Sequence, residues 1–206
     1  MKILLVEDDG SLRQCWVPAW PLRSIADAAG MSDTDFYRKD TDVPNLARGY
    51  LPAGSAGGEL PPLPEPGGPR RIVKMTGPAP DAAGGWVEND QELPVIGNPS
   101  GGGYSTTGDL LKFARALMEH RLLGKEMTET VTTGKVDTHI GKYAYSFEDL
   151  IEQGLRTIGH TGGAPGIHAF FRILPDKNFV VIVLSNYDNA ARAPYDEILR
   201  HLSAKV

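Results

Sequence analysis

Few residues in this sequence could attack an acyl carbon. Nine serines are present, and none is followed three residues later by a lysine, the spacing at which an amine can activate a serine. Ser105 is the strongest serine candidate, because it follows the glycine run Gly101–Gly103 in a turn that opens a helix. Helix capping explains Ser105 equally well. Cys15 is the single thiol and could pair with His160, although a lone cysteine is usually a small buried apolar residue.

Metal and phosphate chemistry have weaker support. Asp137, His139, His160 and His168 are candidate ligands, but their spacing matches no established metal motif, so we expect no metal. No glycine-rich stretch is followed by Lys-Ser or Lys-Thr, so the glycines are predicted to form tight turns and not a phosphate loop. We therefore expect no cofactor.

Composition narrows the class of protein. The chain has 206 residues, 41% of them hydrophobic, and a net charge of −5, which suits one ordinary globular domain. A single cysteine excludes an internal disulfide framework. The absence of a basic patch argues against nucleic-acid binding, and no apolar stretch approaches the roughly 18 residues of a membrane span. The apolar run within the first ten residues is too short for a secretory signal and is followed by acidic residues. We therefore expect a cytoplasmic protein.

The first two thirds of the chain combine one strand pattern, three helical patterns and long irregular stretches. Residues 2–7 form a strand pattern, and a helix is predicted from Pro21 until Gly30. Residues 51–69 are too rich in proline and glycine for a regular element, and residues 81–99 are also predicted to be loop. Apolar residues at helical spacing then follow a capping pair, Thr106 and Asp109, until Gly124, and a short helix is predicted over residues 125–133.

The last third changes to strand patterns. Strands are predicted over residues 142–147, 155–160, 168–174 and 179–184, with a hairpin at the turn sequence PDKN between the last two. An amphipathic helix over residues 189–202 ends the chain. Helices followed by an antiparallel sheet and a terminal helix predict an α+β fold.

Five blocks in this order resemble the class C β-lactamase-like serine hydrolases, a group that includes esterases and relatives of D-aminopeptidases. The resemblance covers residues 21–206 and rests on AGMSDTDFY, VPNLARGY, GNPSGGGYSTTGDLLKFARAL, GHTGGAPG and VVIVLSNYD. It implies a site between an antiparallel sheet and a helical region. His160, Thr161 and Gly162 match the strand that lines one wall of this site, and the resemblance gives the N–H of Gly163 the role of an oxyanion donor. His160, Thr161 and Ser105 are then the catalytic candidates, and Gly162, Gly163 and Tyr104 the substrate-binding ones.

The chain also departs from the pattern of that family. The Ser-x-x-Lys nucleophile is missing, and Tyr187-Asp188-Asn189 resembles the family's Tyr-x-Asn only in letters, because it follows the last strand. Residues 1–20 resemble the first strand of a response-regulator receiver domain. We therefore expect a foreign segment over residues 1–20 and a truncated hydrolase domain over residues 21–206. Because a partial fold would leave the last strand open, we expect residues 2–7 to pair along residues 179–184.

Two classes of function follow from these residues. The first is a hydrolase acting on an ester, lactone or amide with an unconventional nucleophile or an activated water. The second is a catalytically inactive remnant that binds a small acyl ligand or a protein. In both cases we expect a homo-oligomer that covers the exposed apolar surface of the partial fold.

Overall fold

A six-stranded antiparallel sheet forms the centre of the molecule. The computed structural model describes residues 3–5, 22–36, 38–53, 85–89, 92–93, 95–97 and 101–204. The strands of the large sheet are β6 (Val136–Thr138), β7 (Gly141–Tyr143), β8 (Glu148–Glu152), β9 (Leu155–Ala164), β10 (Ile167–Leu174) and β11 (Phe179–Ser185). They follow chain order across the sheet, so each is joined to the next by a short turn. One of these turns is the predicted hairpin, a 3-10 turn at Pro175–Lys177 followed by Asn178 in the left-handed region.

Two smaller sheets lie beside the large one. The first contains β1 (Ile3–Leu5), β2 (Asp35–Phe36) and β5 (Gly103–Ser105), with β5 in the middle. The second contains only β3 (Tyr50–Pro52) and β4 (Trp86–Glu88). β1 lies in the predicted strand of residues 2–7, and β4 lies in a stretch that was predicted to be loop. β2, β3 and β5 were not predicted as strands, because strands of two or three residues carry too little alternation to be recognised in a sequence.

The described residues contain four helices, of which the first, second and fourth pack on the faces of the large sheet. The four helices are α1 (Leu22–Ala29), α2 (Thr107–Met118), α3 (Lys125–Thr132) and α4 (Arg192–Ser203). On one face, apolar residues of α1 and α2 pack against Ala169, Phe171 and Ile173 of β10. On the other face, α4 contributes Tyr195 and Leu199 to a second cluster with Phe170. Alternate residues of β10 therefore face opposite cores, which explains why this strand is apolar at nearly every position.

A buried ion cluster joins α4 to the large sheet. Arg172 of β10 is 1% exposed and donates to Glu148 and Glu152 of β8. Tyr195 of α4 donates its hydroxyl to Glu152 at 2.7 Å, and Thr157 of β9 donates to the same oxygen at 2.6 Å. Although burial opposes the charge of Arg172, the two carboxylates raise its pKa, while burial raises the pKa of Tyr195. The guanidinium therefore stays charged and the phenol stays protonated.

The predicted α+β class and most of the predicted elements are confirmed. α1 ends at Gly30, where φ is +75°, and Thr106 caps α2 by accepting a hydrogen bond from the N–H of Asp109 at 3.1 Å. α2 ends earlier than expected, at Met118, because His120 takes a φ of +61°. Gly124 does not end α2 and instead caps the start of α3.

The predicted pairing of residues 2–7 with the last strand is wrong. Ile3, Leu4 and Leu5 lie opposite Ser105, Tyr104 and Gly103, so β1 extends β5 and not β11. Within the described residues β11 is paired only with β10. The three described residues of β1 match the three residues of β5 in register, and this pairing satisfies the backbone groups along one edge of β1. None of the described helices is long and apolar enough to cross a membrane.

Candidate active site

The open part of β9 is the first component of the candidate site. β9 pairs with β10 from Ile158 to Ala164, but with β8 only from Leu155 to Gly159. From His160 onward, no described strand lies on the second edge of β9. His160, Thr161, Gly162 and Gly163, all predicted as site residues, occupy this segment. An extended ligand can add to such an edge through main-chain hydrogen bonds.

His160 is held by two hydrogen bonds at the point where β9 leaves β8. Its Nδ1 lies 2.6 Å from the carbonyl oxygen of Thr161, and its Nε2 lies 3.0 Å from the hydroxyl of Tyr143 on β7. The two rings meet edge to face, with centroids 5.6 Å apart and planes at 87°. Both side chains are half-buried. The imidazole is thus oriented on both sides before any ligand binds.

Gly159 makes this arrangement sterically feasible. A Cβ at this position would lie 1.9 Å from the carbonyl oxygen of Phe171 on β10, which no side chain tolerates. Gly163 differs, because a Cβ there would meet only the His168 ring at 4.0 Å. On that face of the sheet, the Gly163 backbone is therefore not crowded by its neighbours.

Ser105 and Tyr104 lie elsewhere, in the three-stranded sheet. The Ser105 side chain is buried, and its Oγ lies 2.8 Å from Oγ1 of Thr34 and 3.3 Å from the carbonyl oxygen of Thr106. Thr34 in turn donates to Asp109 at 3.0 Å. The structure thus places Ser105 in the polar contacts that join residues 31–36 to the start of α2, and in a different sheet from His160–Gly163.

Asp109 is the centre of those polar contacts. Its carboxylate accepts hydrogen bonds from Lys112 at 2.8 Å and from the Asp33 N–H at 2.7 Å, in addition to Thr34. Burial opposes ionisation, yet the hydrogen bonds outweigh it and hold the pKa of Asp109 below its usual value. Asp109 is therefore an ionised structural group near the start of a helix, where a negative charge is favoured.

The residues considered for metal binding are separated. Asp137 is exposed and forms an ion pair with Lys142 at 3.4 Å, and His139 is exposed in the turn after β6. His168 accepts a hydrogen bond from the N–H of Ala191 at 3.3 Å, and burial lowers its pKa. Among the residues that the structure describes, no group of three or more His, Cys, Asp or Glu side chains could hold a metal ion. Cys15 lies outside the described residues.

An aromatic group borders the turn between β9 and β10. Tyr50 and Tyr187 are stacked with centroids 5.5 Å apart, and Trp86 meets Tyr187 edge to face at 5.0 Å. Asn89 is buried and donates to the carbonyl oxygen of Pro165 in that turn at 2.9 Å. The small sheet of β3 and β4 is thereby fastened to the end of β9.

Tyr143 is the functional candidate that sequence reasoning missed. It lies 17 residues before His160 and belongs to another strand, so no local motif connects the two. The alternating pattern of residues 142–147 indicated a strand there but not its partner. The turn from β7 to β8, together with the start of β8 opposite Gly159, brings the phenol to the imidazole.

A protein-family model described as Beta-lactamase matches residues 22–205. The chain belongs to the Beta-lactamase family. This agrees with the predicted β-lactamase-like fold, with its antiparallel sheet and flanking helices. The matched segment begins after the residues that resemble a receiver domain, so it does not bear on that resemblance. No curated protein matches the chain.

Solved structures show the same fold in longer proteins. The chain is similar to a penicillin binding protein from Bacillus halodurans, with a TM-score of 0.67 and 24% identity over 90% of this chain and 48% of that one. It is also similar to a D-amino acid amidase from Ochrobactrum anthropi SV3 complexed with L-phenylalanine, with a TM-score of 0.64 and 19% identity over 89% of this chain and 52% of the amidase. A third similar structure is an octameric penicillin-binding protein homologue from Pyrococcus abyssi, with a TM-score of 0.63 and 18% identity over 89% of this chain and 36% of the homologue. The chain thus spans about half the length of the first two structures.

Proposed function

We propose that this chain is a hydrolase of the β-lactamase fold that acts on an ester, lactone or amide, with the open edge of β9 as its acyl-binding wall. The observation that carries the proposal is the Tyr143–His160 pair at the start of that edge, 3.0 Å between Oη and Nε2. A positioned imidazole is the commonest general base in proteins. The adjacent backbone of Thr161–Gly163 is available to an extended acyl group.

Each residue of this wall has a proposed role. His160 accepts and returns the proton, Thr161 and Gly162 lie alongside the acyl group, and the N–H of Gly163 stabilises the oxyanion. The class C-like blocks of the sequence support these roles, and the amidase among the similar structures makes amides part of the substrate range to be tested. Tyr104 and Ser105 remain proposed site residues, although they lie in another sheet.

Hydrolysis of p-nitrophenyl esters, a chromogenic β-lactam and D-phenylalanine p-nitroanilide tests the proposal. We expect His160→Ala to lower kcat/KM by about 100-fold or more, the usual contribution of a general base. Cys15→Ala, which removes the single thiol, is the control and is expected to retain the wild-type rate, while Ser105→Ala tests whether the hydroxyl of the other proposed catalytic residue contributes to the rate. No wild-type turnover above buffer would refute the proposal. Equal rates in all four proteins would assign the turnover to a contaminant, or, if a chelator abolishes it, to a bound metal.

Binding without turnover is the second candidate function. It is favoured because no serine of the sequence has a lysine three residues later and because the Ser105 hydroxyl is already engaged by Thr34. Calorimetric titration with N-acetyl-D-phenylalanine tests it. Saturable binding to the wild type, weakened by Gly163→Val and accompanied by no turnover, would support a binding module over a hydrolase.

Self-association is proposed for the same domain. Its support is the outer edge of β11, which no described strand covers and which carries no charged residue to discourage pairing. Light scattering over a range of protein concentrations measures the oligomeric state. Phe179→Lys places a charge at this edge and is expected to shift the protein toward the monomer. A monomer at all concentrations would contradict the proposal.

The division into residues 1–20 and residues 21–206 is likewise a proposal, supported by the family match that begins at residue 22. A chain that starts at residue 21 tests it. Retention of a cooperative melting transition is expected, while loss of folding would show that the first segment is part of the domain.

A further inference from the structure

We infer that Tyr143 is the nucleophile of this site and that its preferred substrates are aryl esters. The inference rests on the proposed hydrolase function and adds the attacking atom and the leaving group. It is drawn from the hydrogen bond between the Tyr143 hydroxyl and the imidazole of His160, in which the proposed function gives the imidazole a role and the hydroxyl none.

The hydrogen bonds of His160 to Thr161 and Tyr143 indicate which ring nitrogen carries the proton. A carbonyl oxygen can only accept, so Nδ1, which lies 2.6 Å from the oxygen of Thr161, carries the hydrogen. In the neutral imidazole, Nε2 then holds the lone pair and accepts the hydrogen of the Tyr143 hydroxyl at 3.0 Å. A nucleophile, a base and a third group that orients the base therefore stand in line, which is the general arrangement of an activated nucleophile.

The position of the phenol suits an attacking group. Tyr143 reaches His160 where β9 extends beyond β8, so its oxygen lies at the beginning of the open strand edge. The edge-to-face contact with the imidazole fixes the ring, and the side chain remains half-buried and in reach of solvent. Tyrosine is one of the side chains that form covalent intermediates in catalysis.

The reaction balances with water as the second reactant. The Tyr143 oxygen forms a bond to the acyl carbon while its proton passes to Nε2 of His160. The bond from the acyl carbon to the leaving oxygen breaks, and Nε2 returns the proton to that oxygen, which leaves as a phenol. Water then attacks the acyl-tyrosine, gives its proton to Nε2, and the Tyr143 oxygen recovers that proton as the acid departs.

The leaving group decides which substrates can react. The tetrahedral intermediate expels its better leaving group, and the competitor is the tyrosine oxygen itself, whose parent phenol has a pKa of about 10. An alkoxide is far more basic, so adducts of alkyl esters return to the starting ester. A phenolate leaves at least as easily as tyrosine, so adducts of aryl esters go forward. The rate should therefore fall steeply once the leaving group is more basic than a phenol.

Hydrolysis of substituted phenyl acetates and of ethyl acetate by the full chain tests the inference. We expect Tyr143→Phe to lose about 100-fold or more in kcat/KM for p-nitrophenyl acetate, as expected when an activated nucleophile is removed. Tyr145→Phe is the matched control, because Tyr145 lies two residues away and is 63% exposed, and we expect it to keep the wild-type rate. Circular dichroism verifies that both variants are folded.

Covalent labelling gives a second, independent measurement. A p-nitrophenyl phosphonate diester should phosphonylate wild-type Tyr143, with the adduct located by mass spectrometry, and His160→Gln should slow this labelling at least tenfold. A wild type that hydrolyses no ester would refute the proposed hydrolase and this inference together. An active wild type whose rate survives Tyr143→Phe, or whose adduct lies on another residue, would refute only the nucleophile. The labelling of the wild type decides even if Tyr143→Phe does not fold.

Discussion

Asp109 illustrates how one side chain connects a loop, a helix and a buried serine. Its carboxylate binds the Asp33 N–H, the Thr34 hydroxyl and Lys112, and Thr34 passes the connection on to Ser105. These contacts require the ionised form, because only a carboxylate accepts at every position. The stability of this region should therefore depend on pH through a single group.

Asp109→Asn should destabilise the protein by about 1–2 kcal/mol near neutral pH, since it weakens hydrogen bonds to a charged group. The folded-state pKa of Asp109 lies below its unfolded value, so its contribution is complete above the unfolded pKa of about 3.9 and is lost as the pH falls through the lower, folded-state pKa. Urea unfolding of both proteins between pH 7 and pH 3 measures this. A difference between the two that is constant over the whole range would contradict the assignment.

At the level of single residues, the sequence predicted the strand edge better than the chemistry beside it. His160 and Thr161–Gly163 could be placed because they form one continuous motif. Tyr143 could not be placed, because its contact with His160 depends on where the pairing between β8 and β9 stops. Ser105 was an attractive nucleophile from its turn alone, but the turn does not show that Thr34, 71 positions earlier, already binds its hydroxyl.

Among the elements, β9 shows most directly how packing constrains the sequence. Gly159 is the last residue that pairs with β8, and Phe171 on the other neighbour leaves no room for a side chain there. The helix α2 offers a contrast, since Gly108 lies in its first turn and a Cβ there would meet only Oγ1 of Thr106, at 3.7 Å.

Gly159→Ala and Gly108→Ala should therefore have opposite effects on thermal stability. We expect Gly159→Ala to destabilise by about 3 kcal/mol or more, because the backbone of β9 or β10 must move to relieve the overlap. Gly108→Ala should stabilise by up to about 1 kcal/mol through the higher helix propensity of alanine. Melting curves of the two variants provide the comparison. Equal melting temperatures would show that β10 adapts easily at Phe171.

The longer elements could be predicted because their apolar periodicity extends over many residues, as in α2 and β11. The hairpin at Pro175–Lys177 followed from turn residues between two apolar runs. The short strands β2, β3 and β4 could not be predicted, because they depend on partners distant in the sequence. The partner of β1 was mispredicted for the same reason, since the open edges of β5 and β11 cannot be distinguished by composition.

For the molecule as a whole, the cluster around Arg172 determines how α4 is attached. Two carboxylates of β8 surround one guanidinium of β10, and Tyr195 connects them to the helix. The hydrogen bonding of the guanidinium is incomplete, because Nη1 of Arg172 is buried with no hydrogen-bond partner among the described residues. Such a cluster is costly to break, since each removed charge leaves its partners buried without compensation.

Arg172→Ala should lower the free energy of unfolding by about 3–5 kcal/mol, the usual consequence of removing one member of a buried ion pair. Arg200→Ala is the matched control, because its ion pair with Glu197 on α4 is exposed to solvent, and we expect it to leave the free energy of unfolding nearly unchanged. Denaturant unfolding measures both. A small effect at Arg172 would show that water enters the cluster and solvates the two carboxylates.

Because β8 pairs with β9 only as far as Gly159, β9 has two parts that should differ in local stability. Ile158 and Gly159 pair with strands on both sides, whereas the residues from Thr161 to Ala164 pair with a described strand on one side only. Local opening should therefore cost less free energy in the second part, and hydrogen exchange there should be faster. The first part of β9 would thus hold the imidazole in a fixed position, and the second part would be flexible enough to adjust to the shape of an acyl group.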